Sequence, residues 1–316
     1  MNRHLFFLAL LTIAALAACD DDGKSTNNVN NVNNVNNVNN VNNVNNVNNV
    51  NNINNGDCGA PGDAGPRFGQ TADRFDLRAG AGWRVFSGRI WESAPPDPFT
   101  ETAREGHCRL LESAQSFCDP ACEWGTEVCI DGTCETYPGL RVAGALTLTG
   151  VAADPVTVNP DEFGNYAWDS PNPFTVERLT VAAAGGVVPA FSLAACAPPE
   201  LTPIGDWSAL MEARAPGADV TLTWSAPAAG ARIHLRMTTG IGTHGGVSPV
   251  EIECEGPDTG SLTLPGAYLD ALYADGWACG ECGDNTLRRY YAAETVAGDA
   301  TLQLRVMSET TFWFRP

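Results

Sequence analysis

The sequence predicts a mainly β protein: an antiparallel, β-sandwich-like domain with a small disulfide-rich module, carried on a disordered N-terminal tether. Three observations lead there. From Tyr137 onward, short runs of alternating apolar and polar residues are cut by Gly, Pro, Asn and Asp too often for helices. Between positions 108 and 134 five cysteines crowd a stretch with too few apolar residues for a core of its own. From Asn27 to Asn55 an Asn-Asn-Val triplet repeats without charges or aromatic rings, Ile53 replacing valine in the last copy. Two polar residues in three bury too little apolar surface to offset the ordering of the backbone.

In chain order, Arg3 and His4 precede an uncharged apolar run, Leu5 to Ala15. Such a run has signal-peptide length and falls short of the ~20 helical residues that cross a bilayer. Leu16-Ala17-Ala18-Cys19 closes it. A branched apolar residue and two small ones ahead of a cysteine resemble the lipobox of bacterial lipoproteins. The resemblance implies that residues 1–18 are a signal peptide and that Cys19 is diacylated, then becomes the N-acylated first residue. Cleavage after Ala17 by the ordinary signal peptidase, which Ala15-Leu16-Ala17 also suits, is the alternative and leaves Cys19 a free thiol. Residues 19–56 are then the lipidated cysteine and its tether, a coil of roughly 30 Å mean span that holds the body off the membrane. A self-associating asparagine ladder is the rival reading of the repeat.

Localisation follows from the anchor. The chain is expected in the cell envelope, at the outer membrane or cell surface rather than the inner membrane. Asp20 resembles the inner-membrane retention signal of enteric bacteria, whereas the tether suits outward display.

Eleven cysteines in an exported chain meet an oxidising compartment. With Cys19 lipidated, ten remain for five disulfides: Cys58, Cys108, Cys118, Cys122, Cys129, Cys134, Cys196, Cys254, Cys279 and Cys282. Spacing does not choose the partners; for the last four, Cys279 with Cys282 and Cys196 with Cys254 is one of three connectivities. The segment Cys118 to Cys134 resembles the short cysteine-rich knobs of bacterial surface lipoproteins and, distantly, EGF-type modules. Residues 57–136 therefore form a leading strand, Trp83 to Trp91, plus this module. The strand either joins the following domain or stands apart from it.

Residues 137–316 are read as the sandwich-like domain. Its strands are expected at Val142 to Thr149, Leu179 to Val181, Val188 to Leu193, Val220 to Trp224, Ile233 to Met237, Val250 to Cys254, Ser261 to Leu264, Leu302 to Val306 and Phe312 to Phe314. Short helices fit only Asp206 to Ala213 and Pro265 to Tyr273. The whole arrangement resembles predicted bacterial lipoproteins of unassigned function, which supplies architecture and no activity.

A formal charge of −19, with Lys24 the only lysine, repels nucleic-acid phosphate and excludes nucleic acid as a partner. The expected partners are the membrane, through the N-terminal lipid, and an envelope or extracellular protein or glycan. Past the signal only His107, His234 and His244 remain. No Gly-x-Ser-x-Gly, His-Glu-x-x-His, phosphate loop or dinucleotide fingerprint is present. No catalytic or metal residue is assigned, and the chain is read as a binding or structural protein rather than an enzyme. His234, between Ile233 and Leu235, is expected to face solvent.

Two alternatives stand beside that reading. A carbohydrate-active or other hydrolytic enzyme on a β-sandwich would place two acids roughly 5 to 9.5 Å apart. A zinc or redox site would use Cys279 and Cys282, with Cys254 and His244 completing a zinc set. No cofactor is expected unless calcium binds acidic loops at Asp154, Asp161, Glu162 and Asp169, or at Asp284 and Asn285. Trp168, Trp207, Trp224, Trp277 and Trp313 are candidates to stack on sugar rings, although Trp224 reads more naturally as core and Trp313, between Phe312 and Phe314, as outward-facing.

Overall fold

Two long strands organise the molecule. In a computed structural model, β16 (Asn285–Ala297) and β17 (Ala300–Phe312) form a hairpin of 13-residue strands. Their register runs unbroken from Asn285 opposite Phe312 to Ala297 opposite Ala300. Gly298 takes the first turn position at φ 68°, a conformation that L side chains seldom adopt. The described residues are 68, 73–80, 82–113, 118–171, 174, 176–238, 248–274 and 285–312. The chain divides into Met1–Asn46 and Val47–Pro316, and the described residues all belong to the second unit. The signal, Cys19, the tether, Cys58, His244, Trp277, Cys279, Cys282, Asp284 and Trp313 lie outside them.

The hairpin is the centre of a nine-stranded sheet. On the β16 side come β13 (Arg232–Thr238), β14 (Val250–Pro257), β4 (Cys108–Glu112) and β3 (Thr100–Glu105). On the β17 side come β1 (Arg74–Gly80), β2 (Trp83–Arg89) and β9 (Tyr166–Ser170). Every pairing is antiparallel except β1 with β17. The strand at Trp83 thus belongs to the main sheet.

One face of this sheet carries two cores side by side. In the first, Phe75, Leu77, Phe86, Leu302, Leu304 and Val306 pack on a four-stranded sheet of β7 (Leu146–Thr149), β8 (Val156–Val158), β10 (Arg178–Ala183) and β11 (Phe191–Cys196). That half is the expected sandwich. In the second, Leu235, Met237, Ile252, Leu287 and Phe312 pack against the small ribbon of β12 (Val220–Thr223) and β15 (Ser261–Leu264) and against helices α1 (Trp207–Glu212) and α2 (Gly266–Ala274). Asp206 caps α1 by accepting from the Ala209 amide at 3.0 Å. Both helices lie where the sequence places them.

The cysteine module is an insertion between β4 and β7. Its hairpin of β5 (Glu127–Ile130) and β6 (Thr133–Thr136) is closed by Cys118–Cys129 and Cys122–Cys134. Cys108, near the module in sequence, instead bonds Cys254 across 146 residues, because β4 and β14 place the two directly opposite one another. A Cys196–Cys254 pairing is therefore ruled out; Cys196 is disulfide-bonded elsewhere.

Where β16 passes from one core to the other, its inward position is Arg289, wholly buried against Asp258. The guanidinium Nε lies 2.7 Å from Asp258 Oδ2. Its terminal nitrogens donate to the carbonyls of Pro199, Glu200, Ser225 and Ala226 at 2.9–3.4 Å. Asp258 in turn accepts from Trp224 Nε1 and from the Ala228 amide, both at 2.8 Å.

Two outcomes follow. Arg289→Met strands a buried carboxylate and four carbonyls, and should cost about 3–5 kcal/mol in denaturant unfolding. Replacing Cys108 and Cys254 together by alanine should cost about 2–5 kcal/mol by the same measurement, without altering the inserted hairpin.

Candidate binding site

The opposite face of the nine-stranded sheet is charged, and the period of two that builds the cores also builds this face. On β1, Phe75 and Leu77 point to the core while Arg74, Asp76 and Arg78 point away. On β13, Arg232, His234 and Arg236 alternate with Ile233, Leu235 and Met237. On β14, Glu251, Glu253 and Glu255 alternate with Ile252 and Cys254. Arg288 and Tyr290 of β16 and Gln303 and Arg305 of β17 complete a cavity of about 420 Å³, with Ser87 and Phe68 in its wall.

Strand pairing sets the acids of β14 beside the bases of β13. Arg236 holds both oxygens of Glu251 at 2.6 and 2.8 Å. Glu253 is 2.7 Å from His234 Nε2 through one oxygen and 2.5 Å from Arg109 Nη2 through the other. Glu255 is shared between the Tyr290 hydroxyl and Arg232. Across the hairpin, Asp76 binds Arg305 through both oxygens at 3.0 and 3.2 Å and also meets Arg74 at 3.1 Å. Glu309 Oε2 sits 2.5 Å from Arg288 Nε and 3.8 Å from Arg78 Nη1.

These contacts set the protonation states. Burial would raise the Glu253 carboxyl, but the hydrogen bond from His234, with the charge and hydrogen bond of Arg109, outweighs it and brings it down to about 2. Burial pushes His234 below its usual value, and Arg305 and Arg288 add to that against the pull of Glu253. A neutral ring beside an ionised Glu253 must carry its proton on Nε2. Nδ1 is buried without a hydrogen-bond partner. Burial raises Glu251 despite Arg236. Asp76 opposes its own burial with Arg305 and Arg74 and falls below the usual carboxylate range. Burial and the neighbouring Glu255 push the Tyr290 phenol upward.

Several expectations are corrected here. His234 does not face solvent: it points away from the core, yet the charged side chains around it leave it 7% exposed. Trp224 is core, as expected, and donates from Nε1 to Asp258, whereas Trp207, a candidate for sugar stacking, is buried too and donates from Nε1 to Thr223 O at 3.0 Å. Trp168 is half-buried under the Arg84 guanidinium. None of the three offers a free face to a sugar. A zinc set including Cys254 is precluded by its disulfide. Asp154, Asp161, Glu162 and Asp169 form no close group of three among the described residues. Asp161 accepts from the amides of Phe163 and Asn165 to shape its own turn. Among the described residues, the one close group of three or more His, Cys, Asp or Glu side chains is Cys118, Cys122 and Cys134, and all three are disulfide-bonded. Asn285 is buried and accepts from the Thr238 amide.

Sequence reasoning assigned no role to the basin. Its signal was present as Arg-x-Asp-x-Arg at 74–78, Arg-x-His-x-Arg at 232–236 and Glu-x-Glu-x-Glu at 251–255. The second and third were read as the wet sides of separate strands, and the first was assigned to no element, although it forms β1.

No family model matches the chain, and no curated protein matches it. Two solved structures show faint similarity. One, from a 1.5-MDa bacterial ice-binding adhesin studied for host cell surface retention, has a TM-score of 0.17 at 7% identity, over 80% of this chain and 66% of that one. The other, a tetra-tandem repeat in the extending region of a large adhesion protein, has a TM-score of 0.15 at 15% identity, over 76% and 74%. The chain thus spans just under two thirds of the first structure's length. Neither score supports an argument about fold or role.

The depressed Glu253 carboxyl contributes stability that is complete above its ordinary value of 4.5 and is lost as pH falls toward 2. Glu253→Gln should therefore lower Tm at neutral pH, by a loss of about 1–3 kcal/mol. The difference from the parent should shrink between about pH 5 and about pH 3, followed by thermal melts across that range.

Proposed function

We propose that this chain is a non-catalytic binding protein of the cell envelope, anchored by lipid on Cys19, with the charged basin as its ligand site. The observation that carries the reading is oxidation of the folded body. Seven cysteines among the described residues are disulfide-bonded, one pair of them inside the second core. Disulfides of this kind persist in oxidising compartments, which supports a body held outside the cytoplasm. The lipobox-like Leu16-Ala17-Ala18-Cys19 supplies the anchor and the Asn-Asn-Val repeat the stand-off. Among the described residues no helix is long and apolar enough to cross a membrane.

A binding role suits the basin because its ionisable groups hold one another in fixed states. General acid–base catalysis favours a group that exchanges its proton near the working pH. Asp76 and Glu253 are instead held ionised, and Tyr290 is held protonated. One observation favours hydrolysis: Glu251 and Glu253, two positions apart on β14, are driven in opposite directions, as an acid and a base would be. Both oxygens of Glu251, however, are occupied by Arg236.

Mass spectrometry of the mature protein tests the anchor: a triacylated Cys19 at the N-terminus is expected, and Cys19→Ala should move the protein from the membrane to the soluble fraction. An unmodified residue 19 would refute it. A glycan array probed with the disulfide-intact chain tests the binding role. Turnover of a glycoside that Glu251→Gln abolishes would establish the hydrolytic reading in its place.

A further inference from the structure

We propose that the half of the basin built by β1, β16 and β17 binds a small hydroxylated oxyanion, an acidic sugar or sugar ester bearing carboxylate, sulfate or phosphate. This deepens the reading of the basin as a ligand site and rests on it.

Among the described residues, the charges on this half do not balance. Four guanidinium groups, of Arg74, Arg78, Arg288 and Arg305, face two carboxylates, Asp76 and Glu309. Asp76 spends both oxygens on Arg305 and receives Arg74 as a second cation at 3.1 Å. Glu309 is in contact with Arg288 and meets Arg78 only at 3.8 Å. Two positive charges are left over. On the β13 and β14 side no such surplus exists, because each glutamate there has its own cation or neutral donor.

The second cation on each carboxylate is also the accessible one. Arg74 and Arg78 flank Asp76 on the same face of β1, with side chains 42% and 32% exposed, whereas Arg305 is 9% exposed. The crowding has an electrostatic signature. Burial, then Arg305 and Arg288, pull Arg74 down from its ordinary value against Asp76. An incoming oxyanion would relieve that repulsion and match the planar fork of a guanidinium. In a chain of net charge −19, such an excess inside a cavity is not the background composition.

Size and lining choose the rest of the ligand. At about 420 Å³ the cavity lies in the range of small-molecule sites and is far larger than a bare ion needs. Among the described residues, Phe68 is the one wholly apolar side chain in its wall. The Ser87 hydroxyl and the carbonyl oxygen of Gln303, whose amide nitrogen is turned to Glu294 at 2.7 Å, remain for hydroxyl groups.

Titration calorimetry and thermal melts of the disulfide-intact chain test this with four probes: glucuronate, glucose 6-phosphate, inorganic phosphate and glucose. The two sugar anions are expected to bind and raise Tm, to bind more tightly than inorganic phosphate, and to weaken with added salt; glucose should do nothing. The double variant Arg74→Gln, Arg78→Gln should bind the sugar anions at least about tenfold more weakly with its fold intact by circular dichroism. Arg214→Gln, whose cation pairs with Asp270 of α2 away from the cavity wall, should bind as the parent does. Glucose binding as well as glucuronate, inorganic phosphate binding as tightly as the sugar anions, or an unchanged double variant would each overturn the assignment while leaving the basin a binding site. Silence from all four probes would overturn it too, and a glycan array blank for every glycan would then remove the binding role as well.

Discussion

The Arg289–Asp258 ion pair is the constraint on which the two-core arrangement depends. β16 must run from the second core to the first, and at the crossing neither the four-stranded sheet nor the helical layer covers it. Loops lie there instead, and their carbonyls at 199, 200, 225 and 226 converge on the buried guanidinium, which supplies their donors. Arginine is the one side chain with enough N–H groups in a rigid plane to serve four carbonyls and still face a carboxylate. Asp258 then collects Trp224 and two backbone amides. A buried pair of this kind adds little net stability over well-packed apolar residues. What it supplies here is position: it pins three loops to one point on the central strand.

The charged face follows the same logic at a larger scale. An antiparallel sheet can leave its second face wet, and each strand here carries the polar alternation of a wet face. Strand order changes the outcome. Setting β14, with three glutamates, beside β13, with two arginines and a histidine, turns separate polar stripes into a lattice in which His234 is enclosed. With Lys24 the only lysine, the body builds that lattice from arginine, whose fork takes carboxylates through two bonds at once. The hydrophobic cores on one face and the ionic lattice on the other are two readouts of one alternation.

Much of the architecture was legible in local patterns. Gly and Pro breaks and period-two runs marked β2, β7, β10 to β15, part of β17 and both helices, whereas β1, β3 to β6, β8, β9 and the central β16 went unmarked. In β16 the doubled Arg288-Arg289, Tyr290-Tyr291 and Ala292-Ala293 hide the alternation. The strand read as Val188 to Leu193 forms at Phe191–Cys196 instead, since Gly185 at φ 104° and the contact of the Gly186 amide with Val188 O turn the chain just before it. Pairing was not legible, because partners lie far apart in sequence. Nothing in Arg74–Gly80 announces a parallel neighbour near residue 305, and nothing near Cys108 announces Cys254. The basin was hidden for the same reason: its residues come from separate strands, and each alone resembles ordinary solvent-facing alternation.

The parallel pairing of β1 with β17 carries a consequence for how the molecule is made. Asp76 and its partner Arg305 stand 229 positions apart, yet they occupy adjacent places near the middle of the sheet. The hairpin of β1 and β2 emerges early and waits, one edge bare, until the final hairpin arrives to seal it. A ribosome-bound or half-threaded chain therefore has no complete central layer to fold around. Such a topology defers closure of the central layer until the last strands of the chain are available, and makes the slowest contacts those of greatest sequence separation.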